Sequence, residues 1–123
     1  MHPERRRALK RAWRERPPPA GVYRVRDTVT GEALFGRSPD VPAALNRHRF
    51  MLRAGVHPNA PLLAAWRLHG GDAFAFETLE LLEGTDAPDC DLEGELAILE
   101  ALWLDRLGPL DQVFNAGERP SGR

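Results

Sequence analysis

The sequence predicts an α+β domain, a three-stranded antiparallel sheet with helices packed around it. Three observations point there. The stretch Gly21 to Gly36, GVYRVRDTVTGEALFG, reads as a hairpin. Two later segments carry apolar residues at helical spacing, residues 41 to 53 and 92 to 107. Between them, Ala73 to Leu82 reads as a third strand behind the break at Gly70-Gly71.

In the hairpin, Tyr23 and Val25 alternate with Arg24 and Arg26, the period of a half-buried strand. Asp27 and Thr28 can cap a turn with their side chains, and Gly31 tolerates positive φ. The strands are expected at Gly21–Arg26, Glu32–Gly36 and Ala73–Leu82, with Phe74, Phe76, Leu79 and Leu81 as core residues of the third. The first of the two long helices has Asp40 or Ser38 as its cap and Pro42 in its first turn. Val41, Leu45, His48 and Leu52 share one stripe; Arg47, Arg49 and Arg53 lie mostly off it, and Phe50 is nearly opposite. Gly55 ends it. His57-Pro58-Asn59 is a loop, and a short helix is expected from Leu62 to His69. An acidic loop, Gly84 to Asp91, precedes the last helix, whose stripe is Leu92, Leu96, Leu99, Trp103 and Leu107, with Glu100 at its edge.

Ahead of the hairpin, Glu4 to Arg16 is a candidate helix carrying Arg5, Arg6, Arg7, Lys10, Arg11, Arg14 and Arg16. Pro17-Pro18-Pro19 stops it and acts as a stiff spacer. The arm can lie along a nucleic-acid backbone, each cation neutralising a phosphate. It can equally be a solvated helix docked through Leu9 and Trp13, which are four apart. The organisation is therefore an arm and spacer over residues 1–19, a domain over 20–117, and a tail over 118–123.

The net charge of -1 hides an asymmetry. Met1 to Arg67 holds 14 Lys and Arg against 5 Asp and Glu, and Leu68 to Arg123 holds 3 against 13. Such a layout can give one face that attracts phosphates while the whole stays near neutral, or two halves that neutralise each other across the fold. Cys90 is the only cysteine, which excludes an intrachain disulfide and a Cys-based zinc site. No apolar run is long enough to span a bilayer and none follows the basic start, so no membrane and a cytoplasmic location are expected. There is no P-loop, nucleophile elbow or zinc-protease motif.

Taken singly, the polar residues near the apolar stripes leave two readings each. Tyr23 is a core tyrosine with its hydroxyl bonded or a chemical group. His48 is a satisfied core histidine or a site residue. Glu100 is a boundary glutamate or, partly desolvated, an oxygen ligand for a hard cation.

Gly21-Val22-Tyr23 followed by Leu34-Phe35-Gly36 resembles the paired signature of the GIY-YIG nuclease family. The resemblance continues in order through His48, His57, Gly70-Gly71, Glu100 three residues before Trp103, and Asn115 after Phe114. It spans roughly residues 20 to 117 and implies a GIY-YIG-like fold behind a basic N-terminal helix. It also implies a DNA endonuclease, in a family that includes homing, restriction and DNA-repair enzymes. The family site uses the Tyr of the first triplet, a second Tyr, an Arg on the first helix, a nearby His and a Glu that binds one divalent metal. The matching positions are Tyr23, Leu34, Ala44, His48 and Glu100, so the second Tyr and the Arg are absent.

The resemblance thus implies metal-dependent phosphodiester hydrolysis, weakened by those two losses. Tyr23, His48 and His57 are the expected catalytic residues. Arg47, one turn after Ala44, is the further catalytic candidate: either it or Arg37, after Gly36, can reach into the cleft and substitute for the missing cation. Glu100 would hold one weakly bound Mg²⁺ or Mn²⁺. Arg5, Arg6, Arg7, Lys10, Arg11, Arg14, Arg24, Arg37 and Asn115 are expected against DNA, with RNA left open. A catalytically silent DNA-binding module and a protein-interaction domain are the alternatives; the oligomeric state is left open. Arg has a high helix propensity, so restoring it at position 44 is expected to cost the fold little.

Overall fold

The antiparallel hairpin forms as its alternation predicts. The computed structural model describes residues 17–85, 89–108 and 114. The hairpin strands are β1 (Gly21–Asp27) and β2 (Ala33–Ser38), and Phe74–Leu81 is β3. Both neighbours pair antiparallel with β1, in the order β2-β1-β3. Asp27 closes the turn: its carboxylate accepts the Val29 N–H at 2.9 Å and its carbonyl accepts the Gly31 N–H at 2.8 Å. The helices are α1 (Val41–Ala54), α2 (Ala60–His69) and α3 (Leu92–Arg106), with a 3₁₀ turn, Gly71–Ala73, before β3.

The caps explain where the helices start. Asp40 accepts the Ala43 N–H ahead of α1, with Pro42 in the first turn as expected. α2 starts two residues earlier than its apolar spacing suggests, because Asn59 is its cap and accepts the Leu62 N–H. The Pro-rich spacer is tied down at its end. The Pro19 carbonyl accepts from the Val41 amide and the Ala20 carbonyl from the Leu82 amide, at 2.8 and 2.7 Å.

The two faces of the sheet bury different clusters. Val25 and Leu34 pack with Leu52 of α1, Leu62 and Leu63 of α2, Phe74 and Phe114. Tyr23 lies in the same strand phase and packs on Val41 and Ala44. Val22 and Phe35, in the opposite phase, pack on Leu99 of α3, with Leu79, Leu82, Trp103, Leu104 and Leu107 around them. α1 and α2 thus cover one face and α3 the other.

Leu81 corrects an expectation. It is 44% exposed and is not a core residue. The register slips between Val22 and Tyr23, which pair with Glu80 and Thr78, so Leu79 is an extra residue in β3. A bulge of this kind reverses the inward and outward positions beyond it. Phe114 packs back on the sheet, while Phe50 is 69% exposed. The basic arm and the tail lie outside the described residues. Among the described residues no helix is long and apolar enough to cross a membrane.

Candidate active site

Three side chains far apart in sequence meet beneath the end of β1. The Tyr23 hydroxyl is 2.9 Å from Nε2 of His48, and Nδ1 of His48 is 2.8 Å from Nε2 of His57. His57 in turn accepts the Asn59 backbone N–H on Nδ1, at 3.0 Å. All four residues are buried. The imidazole rings are stacked, with centroids 5.1 Å apart.

That backbone amide fixes the sense of the whole chain. It can only donate, so His57 Nδ1 is unprotonated and the neutral ring carries its hydrogen on Nε2. This hydrogen goes to His48 Nδ1, which leaves the His48 hydrogen on Nε2, donated to the Tyr23 oxygen. An N–H fixed on the phenol oxygen stabilises negative charge that develops there. Burial pushes the His48 pKa down to about 4, with the His57 and Arg47 charges acting in the same direction, so the ring stays neutral at pH 7.

Gly36 makes room for Tyr23. The two residues pair across β1 and β2. A Cβ at position 36 would sit 2.7 Å from the phenol Oη and Cζ atoms, so any side chain there would push the ring off His48. The retained glycine of the second triplet therefore serves the tyrosine of the first. The two replaced positions have joined the core. Leu34 and Ala44 are each 3% exposed, and Ala44 packs directly against the Tyr23 cluster.

Glu100 belongs to a different group. It lies on α3, on the face opposite Tyr23, and receives Arg37 Nη1 at 2.6 Å. Nη2 of the same arginine meets Glu93 Oε1 at 2.5 Å. Arg24 and Arg26 both donate through Nε to Oε1 of Glu77, at 2.9 and 3.0 Å. Arg47 is exposed on α1. Arg5, Arg6, Arg7, Lys10, Arg11, Arg14 and Asn115 lie outside the described residues. The structure thus gathers Tyr23, His48 and His57, and sets Glu100 apart with Arg37. Sequence reasoning missed Asn59, whose position before Pro61 was the available sign of a cap. It also missed the Arg37–Glu93–Glu100 cluster, whose arginine is more than fifty residues from either carboxylate.

Two solved structures share this architecture. The catalytic domain of the homing endonuclease I-TevI matches with a TM-score of 0.57 and 24% identity, over 72% of this chain and 87% of that one. A mutant of the same intron endonuclease domain matches with a TM-score of 0.59 and 20% identity, over 76% and 90%. The fold is GIY-YIG-like. No family model and no curated protein matches the sequence. Tyr23 and His57, two residues that the sequence resemblance singled out, each contact a third, His48.

The divalent ion that the sequence resemblance implies does not fit Glu100 as the side chains stand. Its carboxylate is already neutralised by a guanidinium that it shares with Glu93. Among the described residues there is no group of three His, Cys, Asp or Glu able to hold a metal. A cation at Glu100 requires Arg37 to leave. Replacing Arg37 by Met should therefore expose both carboxylates, and calorimetry should detect Mn²⁺ binding that is weaker or absent in the parent chain. Adding Glu100→Gln should abolish that binding. Equal heats in all three proteins would remove Arg37 and Glu100 from any cation site.

Proposed function

We propose that this chain is a DNA-acting relative of the GIY-YIG endonucleases, hydrolysing phosphodiester bonds slowly because a hydroxyl and a cation are missing at positions 34 and 44. The observation that carries this reading is the Tyr23–His48–His57 relay on an endonuclease fold. In this reading Tyr23 acts at the reacting phosphate or the attacking water, and the neutral His48 that holds its oxygen supports that role. His57 and the Asn59 amide orient His48. Arg47, exposed one turn beyond Ala44, supplies positive charge on the same helix. Losing one preorganised group of this kind costs about 2.7–4 kcal/mol in the barrier, which makes slow turnover the expectation.

The test is nicking of supercoiled plasmid with Mg²⁺ or Mn²⁺, run beside filter binding over a salt series. The parent chain should nick slowly. Tyr23→Phe keeps the ring and its packing, and should lower nicking about 100-fold with DNA affinity unchanged. A Tyr23→Phe variant as active as the parent would overturn the reading. The pairing of Glu100 with Arg37 favours a second one, a silent DNA-binding module. It predicts salt-dependent DNA binding with no nicking in either metal.

A further inference from the structure

The arginines of α1 that the relay does not use face a second concavity. Arg49 and Arg53 are one turn apart, and each follows by one residue a member of the buried stripe, His48 or Leu52. They line a cavity of about 550 Å³ together with Trp66, His69, Asp72 and Phe76. The Arg49 guanidinium lies 4.4 Å from the centre of the Phe76 ring, and Trp66 packs on both Phe74 and Phe76. Among the described residues no carboxylate pairs with either arginine. His69 is held from behind: its Nδ1 is 2.5 Å from Oδ2 of the fully buried Asp27, which leaves Nε2 as the nitrogen for the cavity. Gly71 lets the wall close up, since a Cβ there would lie 2.9 Å from the Trp66 ring.

We infer that this cavity binds a nucleoside monophosphate, its phosphate between Arg49, Arg53 and His69 and its base against Trp66. A phosphate monoester carries more charge than a backbone diester, and two arginines with an oriented imidazole match it. A flat aromatic wall accepts any base by stacking. The bound group is a free nucleotide or the phosphorylated end of a strand, which offer the same chemistry. The inference does not depend on the relay, because none of the relay residues lines the cavity.

The test is calorimetry on the full chain at low salt with dAMP, deoxyadenosine and inorganic phosphate. dAMP should bind at least tenfold more tightly than either of its halves. Arg49→Gln with Arg53→Gln should weaken dAMP binding tenfold or more. Arg53→Glu alone, at an exposed position, should do so with an unchanged circular dichroism spectrum. Tyr23→Phe should leave it intact, which separates this site from the nuclease reading. Single-stranded oligonucleotides with and without a 5′-phosphate identify the source, a clear preference for the phosphorylated one assigning a strand end and no preference a free nucleotide. Deoxyadenosine or phosphate binding as tightly as dAMP, no binding of dAMP, or binding indifferent to Arg53→Glu would each overturn the assignment.

Discussion

Acidification from pH 6.5 to pH 4 should cost the fold about 3 kcal/mol at His48 alone, since each pH unit of displaced titration is worth about 1.4 kcal/mol. The ring is 7% exposed, and its pKa falls to about 4 in the folded chain from the ordinary 6.5. Above pH 6.5 both states hold it neutral and the stability is fully present. Between 6.5 and 4 the unfolded chain takes up a proton that the folded site refuses, so stability falls as pH falls. Below 4 both states are protonated and the loss is complete. Glu77, whose carboxyl Arg26 holds below the usual range, loses its contribution in a lower window. Urea unfolding of the parent and of His48→Gln at pH 7 and pH 4.5 isolates the histidine. The parent should lose more stability than the variant between the two pH values. Parallel losses would show that His48 is not the buried neutral ring described here.

Putting the family's missing groups back should damage the protein before it helps the chemistry. Leu34 packs among Val25, Leu52, Leu62, Leu63 and Phe74, and Ala44 against Tyr23 and Val41. Enlarging a well-packed core position costs roughly 1–3 kcal/mol, so Leu34→Tyr and Ala44→Arg together should cost roughly 2–6 kcal/mol. The new hydroxyl and guanidinium also need partners that these clusters do not offer. Against a typical total stability of about 5–15 kcal/mol, this is a large share. Helix propensity alone predicted a small cost at position 44; the burial of Ala44 overrides it. Thermal unfolding should show a clear drop for the double variant, and nicking in Mn²⁺ should not exceed that of the parent. A double variant as stable as the parent and ten times as active would show that both positions still open onto the cleft.

The legible parts of the sequence were those set by local periodicity. The alternation at Tyr23 and Val25 and the stripe Val41, Leu45, His48, Leu52 gave strand, helix and buried face, because those patterns are repeated over several turns or pleats. Leu81 was misread because a bulge adds one residue without leaving a mark in the composition. In the candidate site, the resemblance singled out Tyr23, His48 and His57, and folding brings them together. It also named Glu100 as a cation ligand. What it did not reveal is that Arg37, over sixty residues away, holds that carboxylate, since ion pairs between distant elements follow no local period.

The amide of Asn59 has a further consequence for how protons move. Acid–base wires conduct by having every member swap its donor and acceptor ends in turn. A peptide N–H cannot surrender its hydrogen, so the wire from Tyr23 through His48 to His57 is anchored at one end and cannot reverse. It aligns the tyrosine without draining it. The proton of Tyr23 therefore has no route inward past His57 to Asn59.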